Sequence, residues 1–185
     1  MNTKSLFLIP VLLISISIQG QVLKPESQIF THQDTLRGSV TPERAWWDLN
    51  YYHLDISVHP ETKSIQGKNT IRYTVLEPYQ TLQIDLQAPM KLTKAVQDGE
   101  ELTIVKDGNA HFITLKKPQT VSGKLEEVEI FYEGQPRVAV RAPWDGGISW
   151  KKDANGNDFI ASSCQGLGAS VWWPNKDHMY DEVDS

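Results

Sequence analysis

Apolar and polar residues alternate along much of the central part of the chain. Between positions 51 and 60, one parity is apolar: Leu54, Ile56 and Val58. After the polar stretch His-Pro-Glu-Thr-Lys, one parity is apolar again: Ile65, Ile71, Tyr73 and Val75. A period of two on both sides of a short polar turn predicts a β-hairpin. Gly67 interrupts the second strand, which predicts a bulge or a close approach of another backbone segment.

The same period continues further along the chain and predicts additional strands. Two more segments carry their apolar residues on one face: Leu82, Ile84 and Leu86 in the first, and Val128, Ile130 and Tyr132 in the second. Asp-Gly pairs at 98–99 and 107–108 lie between apolar segments and predict tight hairpin turns. No window sustains a helical period with end caps. We therefore predict an all-β fold of antiparallel strands, either a multi-stranded sandwich or a saddle-like curved sheet.

Two regions lack this alternation. Residues 22–44 are polar without a clear period and are interpreted as an extended leader, so that the β domain covers residues 45–185. Residues 135–159 are rich in glycine and are interpreted as mostly loop. Within them, the run from Asp153 to Asp158 partly imitates a calcium loop. It lacks the distal glutamate that such a loop requires, and an Asn-Gly turn is the preferred interpretation.

Residues 1–21 have the pattern of a signal peptide. Lys4 precedes an apolar run from Leu6 to Ile18, and small or polar residues follow it. The run is short for a transmembrane helix, which needs about 20 apolar residues. An uncleaved anchor is the alternative, and a lipoprotein signal would require a cysteine directly after the run. We expect an exported protein, periplasmic or secreted, with no stable membrane span.

Composition narrows the classes of partner. The chain of 185 residues carries 18 basic and 23 acidic residues, for a formal net charge of −5, and its basic residues are scattered. This argues against a nucleic-acid partner, because phosphate binding needs clustered lysine and arginine. Cys164 is the only cysteine, so the sequence supports neither an internal disulfide nor a cysteine-based zinc site.

The sequence shows no complete catalytic apparatus. Its histidines are not spaced as a metal motif: His32, His53, His59, His111 and His178. The acidic run around His178 is interpreted as a solvated loop rather than a calcium site. Ser163 and Cys164 have no recognisable base partner. Four tryptophans lie near the end of the chain, and they either line a pocket or fill the core: Trp144, Trp150, Trp172 and Trp173.

The run Ser-Ser-Cys-Gln-Gly-Leu-Gly-Ala-Ser-Val-Trp-Trp-Pro-Asn-Lys-Asp, residues 162–177, resembles the end of the N-terminal β domain of M1 zinc aminopeptidases. In that family a Gln-Cys-Glu or Gln-Cys-Gln turn precedes an aromatic-Pro-x-x-Asp segment. Here the turn falls on residues 163–165, and the later segment supplies Pro174 and Asp177. Upstream, the strand pattern Tyr-x-Leu-x-Ile-x-Val followed by Ile-x-Gly at 65–67 is similar as well, and the resemblance covers residues 34–185, with features of the secreted bacterial branch.

The resemblance implies two substrate-binding residues and no catalytic one. The family binds the free α-amine of a peptide, and Gln165 matches the position of the acidic or amide residue that accepts its hydrogen bonds. A glutamine binds the amine more weakly than a carboxylate does, because charge-assisted hydrogen bonds are stronger. Ser163 stands where the family often has another glutamine, and its side chain is shorter. Val183 occupies a position where proline is expected.

The family's zinc ligands, general-base glutamate and Gly-x-Met-Glu-Asn loop belong to a following catalytic domain, and none of them is in this sequence. The resemblance therefore implies no cofactor or metal in this chain, zinc in a catalytic domain that acts as its partner, and no peptide hydrolysis by the chain alone. Whether it is a fragment or a stand-alone product stays open. The alternatives are an exported carbohydrate- or ligand-binding β-sandwich and a scaffold domain with an exposed apolar face.

Overall fold

The computed structural model describes residues 29–185, so the predicted signal peptide at residues 1–21 lies outside the described residues. Within residues 29–185, two short helices precede ten strands. The helices are α1 (His32–Gly38) and α2 (Pro42–Ala45). The strands are β1 (Trp47–His59), β2 (Ser64–Val75), β3 (Tyr79–Asp85), β4 (Lys91–Gln97), β5 (Glu100–Glu101), β6 (Thr103–Asp107), β7 (Ala110–Gln119), β8 (Leu125–Gly134), β9 (Gly147–Lys152) and β10 (Asp158–Ser163). A short 3₁₀ helix follows at Ala169–Val171.

The strands form three antiparallel sheets, which confirms the predicted all-β fold. One sheet has the order β1-β2-β8-β4-β5, the second has the order β3-β7-β6, and β9 and β10 form a separate hairpin. The predicted β1–β2 hairpin is present, with Leu54 opposite Asn69 and Ile56 opposite Gly67. Gly67 marks a close approach rather than a bulge, because a Cβ atom there would lie 2.5 Å from the carbonyl oxygen of Asp55.

The main core lies between the five-stranded and the three-stranded sheet. Apolar side chains of one parity from both sheets fill it, as the alternating pattern predicts. Trp47 and Tyr73 meet there edge to face, with their ring centroids 5.6 Å apart. The core members include Leu49, Ile71, Val75, Leu82, Ile84, Ile113, Leu115, Val128 and Ile130. A second cluster includes Ile148 of the β9–β10 hairpin, and its other members are Ile65, Leu86, Met90 and Tyr132.

Within the predicted extended leader, residues 22–44, the structure has helix α1 and most of helix α2. Thr31 caps α1 through a reciprocal capping box, in which its hydroxyl and amide pair with the backbone and carboxylate of Asp34. The sequence signature of this box is Thr-x-x-Asp, which the apolar period does not reveal because α1 contains no buried residue. The second helix, α2, buries Arg44 completely. The leader is therefore folded onto the β domain.

The glycine-rich region at 135–159 contains more regular structure than its composition indicates. Residues 147–163 form the β9–β10 hairpin, in which Trp150 lies opposite Ile160. Its turn is the predicted Asn-Gly turn. The Asp153 carboxylate accepts the backbone N–H groups of Asn155 and Asn157, both at 2.8 Å. Asp153 thus stabilises the turn, and its carboxylate is engaged in these local hydrogen bonds.

Candidate functional site

The predicted binding turn begins at Ser163, the last residue of β10, and its loop continues to Gly168. Its backbone closes through the N–H groups of Leu167 and Gly168, which donate to the carbonyl of Cys164 at 3.2 and 2.9 Å. Gly166 and Gly168 have φ values of +70° and +79°, a region that side chains disfavour. Gln165 is exposed, and its side chain makes no hydrogen bond to any other residue of 29–185. The amide of Gln165 is consequently available to a ligand.

Side chains from distant segments hold this turn. Arg37 of α1 donates from its guanidinium to the carbonyl of Gly166 at 3.1 Å. Gln87, just after β3, donates from Nε2 to the carbonyl of Leu167 at 2.5 Å. On its far side, Gly168 packs so closely on Asp177 that a Cβ atom would lie 2.3 Å from the carboxylate. These contacts fix the main chain of the turn and leave the side chain of Gln165 free.

The Asp177 carboxylate is part of this support. Ser170 donates its hydroxyl to Asp177 at 2.5 Å and accepts a hydrogen bond from Gln87 at 2.9 Å. Asp177 donates its backbone N–H to the Asp85 carboxylate at 3.3 Å. The residue that the resemblance places at the end of the motif therefore anchors the binding turn to the core.

Ser163, the second predicted binding residue, is half-buried at the end of β10. Its hydroxyl donates to the carbonyl of Asp145. The carboxylate of Asp145 in turn accepts the backbone N–H groups of Val140 and Arg141 at 2.7 and 2.8 Å, and these hydrogen bonds, with Val140 the largest contributor, lower the pKa of Asp145. Because the Ser163 hydroxyl has donated its only hydrogen, it is available to a ligand only as an acceptor.

Cys164 lies between Ser163 and Gln165 and has a half-buried free thiol. Burial raises the pKa of the Cys164 thiol, and a hydrogen bond with Trp172 partly offsets this effect. A raised pKa keeps the sulfur protonated at neutral pH, and a thiol is a poor nucleophile and a poor metal ligand. Cys164 therefore packs as a small apolar residue in the turn.

The tryptophans divide between the core and the surface. Trp150, Trp172 and Trp173 pack against the second core cluster. The ring centroids of Trp172 and Trp173 lie 5.9 Å apart, and Tyr52 meets Trp173 edge to face at 4.9 Å. Only Trp144 among the four is well exposed, at 74%. The tandem tryptophans thus connect the binding turn to the sheet.

The histidines do not converge on one site. His32 pairs with Asp107 at 2.7 Å, and His178 contacts the carbonyl of Gly38 at 3.2 Å. His53 and His59 are exposed on β1. His111 is buried, and burial lowers its pKa to about 4. Within residues 29–185, no group of three or more His, Cys, Asp or Glu side chains is placed to hold a metal ion.

The acidic side chains of residues 177–184 contact different partners and do not form one cluster within residues 29–185. Asp181 pairs with Lys176 at 2.5 Å, and both side chains are buried. Asp184 accepts a weak hydrogen bond from Asn50 at 3.4 Å. The interpretation as a solvated loop therefore does not describe Asp181. No helix in the described part of the chain is both long enough and apolar enough to cross a membrane.

Sequence reasoning missed the residues that hold the binding turn. Arg37, Gln87 and Asp145 lie in three separate segments, and Arg37 is 129 positions away from its partner Gly166. A single arginine, glutamine or aspartate has no periodic or motif signal. These residues are identified only by the structure, in which α1 and the segment after β3 pack around the turn.

Comparisons with known proteins support the fold. No family model matches the chain, and no curated protein matches it. Among solved structures, an M1 zinc metallopeptidase from Deinococcus radiodurans is similar with a TM-score of 0.57 and 20% identity over 75% of this chain. A variant of that enzyme bound to a Tyr-Ser-Ala substrate gives 0.57 and 21% over 76%. Native yeast LTA4 hydrolase gives 0.59 and 14% over 84%.

The matched region is only part of each of those proteins. This chain spans 31% of the Deinococcus chains and 26% of the yeast chain. At these identities the likeness establishes a shared fold. It confirms the structural side of the sequence resemblance, and it leaves the chemistry to be argued from the residues of the turn.

Proposed function

We propose that this chain is the N-terminal β domain of an exported M1-type zinc metallo-aminopeptidase and that it forms one wall of the site for the N-terminus of the peptide. The observation that carries the proposal is the Gln165 side chain, which is exposed and makes no hydrogen bond within residues 29–185, on a turn whose main chain is held from several directions. The shared fold with M1 metallopeptidases supports the same conclusion. Export rests on the pattern of residues 1–21.

Gln165 would bind the peptide through its side-chain carbonyl. A peptide α-ammonium group carries N–H donors and a positive charge, and the amide oxygen of Gln165 is a neutral acceptor for one of them. The acceptor lone pair of Ser163 lies two residues earlier on the same turn. Because Arg37 and Gln87 already hold the turn, little main-chain ordering would accompany binding, which favours affinity.

Zinc is assigned to a catalytic region outside this chain. The described residues do not fit a zinc site, since no three potential ligands are grouped among them. Peptide hydrolysis by this mechanism needs a metal-activated water and a general base. The role of this chain would thus be to support that region and to orient the amine of the substrate.

The isolated chain is expected to show no aminopeptidase activity. Release of a fluorescent amine from aminoacyl coumarin substrates, measured with added zinc, should equal the buffer rate. Chelator-sensitive turnover above buffer would contradict the assignment of catalysis to another region. Reading the coding sequence beyond Ser185 for an in-frame His-Glu-x-x-His motif tests the enzyme context directly.

Binding through Gln165 should depend on a free α-amine. In titrations of the isotope-labelled chain with L-tyrosine amide, the amide signals of residues 164–168 should shift, and N-acetyl-L-tyrosine amide should leave them in place. Gln165→Ala should weaken binding roughly 2- to 10-fold, since one exposed hydrogen bond contributes about 0.5–1.5 kcal/mol. Gln165→Glu should strengthen it, because the carboxylate places a negative charge opposite the ammonium.

Ser162→Ala is the matched control, because Ser162 is exposed on the same hairpin and precedes the turn. It should bind L-tyrosine amide as the unsubstituted chain does. Equal shifts with the free and the acetylated amine, or unchanged affinity in Gln165→Ala and Gln165→Glu, would refute the role given to Gln165.

A further inference from the structure

The outer edge of β1 already carries the beginning of an additional strand. In the five-stranded sheet, β1 is an edge strand. Ser185 donates its N–H to the carbonyl of Asn50 at 3.2 Å, and its own carbonyl accepts the N–H of Tyr52 at 3.1 Å. In a parallel pair, the N–H and C=O of one residue form hydrogen bonds with the two residues that flank the residue opposite it. Ser185 therefore pairs with β1 in parallel.

The preceding residues approach β1 in the same direction. The Asp181 carboxylate accepts the N–H of Leu49 at 3.2 Å, and Asp184 lies within 3.4 Å of the Asn50 side chain. Contacts thus advance along β1 from Leu49 to Tyr52 as the chain runs from Asp181 to Ser185. Residues 181–184 therefore already run in the same direction as β1, ahead of the main-chain pairing at Ser185.

Among residues 29–185, the main-chain groups along the remainder of this edge have no backbone partners. Alternate residues of a strand direct their N–H and C=O groups to the same side, so Leu54, Ile56 and Val58 share the orientation of Tyr52. Within residues 29–185, their N–H groups on this side make no backbone hydrogen bond. An unpaired edge of this length is a template for strand addition.

The side chains along this edge are apolar and incompletely covered. Leu54, Ile56 and Val58 lie opposite Asn69, Gly67 and Ile65, respectively. They share the sheet face that carries buried Ile65, yet Ile56 and Val58 are 39% and 37% exposed. A strand beside β1 with apolar residues on that face would cover them.

We propose that the edge of β1 from His53 to His59 accepts a further strand that runs parallel to β1 and continues the main chain from Ser185. This inference rests on the proposed function, in which the chain is a domain of a longer protein, and the matched structures are about three times as long as the aligned part. In register with Ser185, the first, third, fifth and seventh residues after it face the apolar side chains of β1. The second, fourth and sixth direct their N–H groups to β1.

A second copy of the chain fits this edge less well. A two-fold axis through a shared sheet would pair β1 with its copy in antiparallel orientation. Ser185 already occupies the main-chain groups of Asn50 and Tyr52 in parallel orientation. The continuing strand uses the same direction and the same register as this contact.

Amide hydrogen exchange of the full chain tests the proposal, with two extended versions as probes. One version carries Val-Thr-Val-Thr-Val-Thr-Val after Ser185, and the other has proline in place of each threonine. The valines are identical, but proline lacks the N–H groups that would bond β1. We expect the amides of Leu54, Ile56 and Val58 to exchange at least tenfold more slowly in the threonine version than in the unextended chain, and the proline version to match the unextended chain.

Two results would overturn the strand proposal. One is protection of these three amides in the unextended chain, which would mean that the edge is already occupied. The other is equal exchange in the threonine and proline versions. Neither result depends on the binding of L-tyrosine amide at Gln165, so loss of one proposal is distinguishable from loss of the other.

Discussion

Replacing Arg44 with methionine is expected to destabilise the fold by about 3–5 kcal/mol at pH 7, the effect of breaking a buried ion pair by removing one partner. The Arg44 side chain is 0% exposed and pairs with Asp85 at 2.6 Å. The same guanidinium donates to the carbonyls of Leu36 and Ser39 at 2.6 and 2.8 Å. Methionine fills part of the volume but leaves the carboxylate and these carbonyls without their donor.

The loss should depend on pH. Burial raises the pKa of Asp85, and Arg44 partly offsets that effect. Without Arg44, the pKa of Asp85 rises further above its ordinary value, so the variant loses stability as pH rises through this raised pKa. Chemical unfolding at pH 4.5 and pH 7 should therefore show a smaller difference between the variant and the unsubstituted chain at the lower pH.

Two further variants distinguish the effect of an unpaired buried charge from the effect of removing an arginine in general. Arg72 forms an exposed pair with Glu127 at 2.7 Å, and Arg72→Met should leave the unfolding midpoint nearly unchanged. The double variant Arg44→Met with Asp85→Asn removes the orphaned charge and should be more stable than Arg44→Met alone. A double variant less stable than Arg44→Met would show that the buried carboxylate is not the source of the loss.

The β1–β2 hairpin and the core were predictable because local patterns encode them. The period of two placed Ile71, Tyr73, Val128 and Ile130 on the buried face, and they are all buried there. The same pattern made Ile56 and Val58 look like core residues. Their exposure follows from the position of β1 at the edge of the sheet, and the pattern within one strand has no information about the strands beside it.

The candidate site was chosen from the sequence, but the contacts that hold its turn were not predicted. The Cys-Gln-Gly turn and its distance to Asp177 were readable because all these residues lie in one short segment. Arg37 lies in helix α1, none of whose seven residues is buried, so the apolar pattern did not indicate this helix. Contacts between segments far apart in sequence arise only when the fold brings them together. The binding role of Gln165 stays a prediction, and the hydrogen bonds that hold its turn are the structural finding.

Replacing Asp181 with alanine is expected to destabilise the chain by about 3–5 kcal/mol at pH 7, because the buried Lys176 ammonium loses its carboxylate. Lys176 Nζ lies 2.5 Å from Asp181, donates to the carbonyl of Trp47 at 2.6 Å and sits 4.0 Å from the Trp47 ring centroid. Asp181 also accepts the N–H of Leu49. The variant should thus release residues 181–185 from β1, with faster amide exchange at Tyr52.

The loss in Asp181→Ala should shrink between pH 7 and pH 9.5. Burial lowers the pKa of Lys176 to about 8, while Asp181 opposes this shift. The unfolded chain keeps the proton up to the ordinary lysine pKa, so in the unsubstituted chain this group adds stability as pH rises above about 8. In Asp181→Ala the pKa of Lys176 falls further. Above the Lys176 pKa of both proteins, the lysine is neutral in the variant and in the unsubstituted chain, so the loss of the charge pair no longer makes their stabilities differ.

Asp184→Ala, which removes an exposed carboxylate from the same segment, should show neither the loss nor its pH dependence. A loss in Asp181→Ala that stays constant from pH 7 to pH 9.5 would mean that the Asp181 hydrogen bond to Leu49, rather than the Lys176 charge, holds this segment on β1.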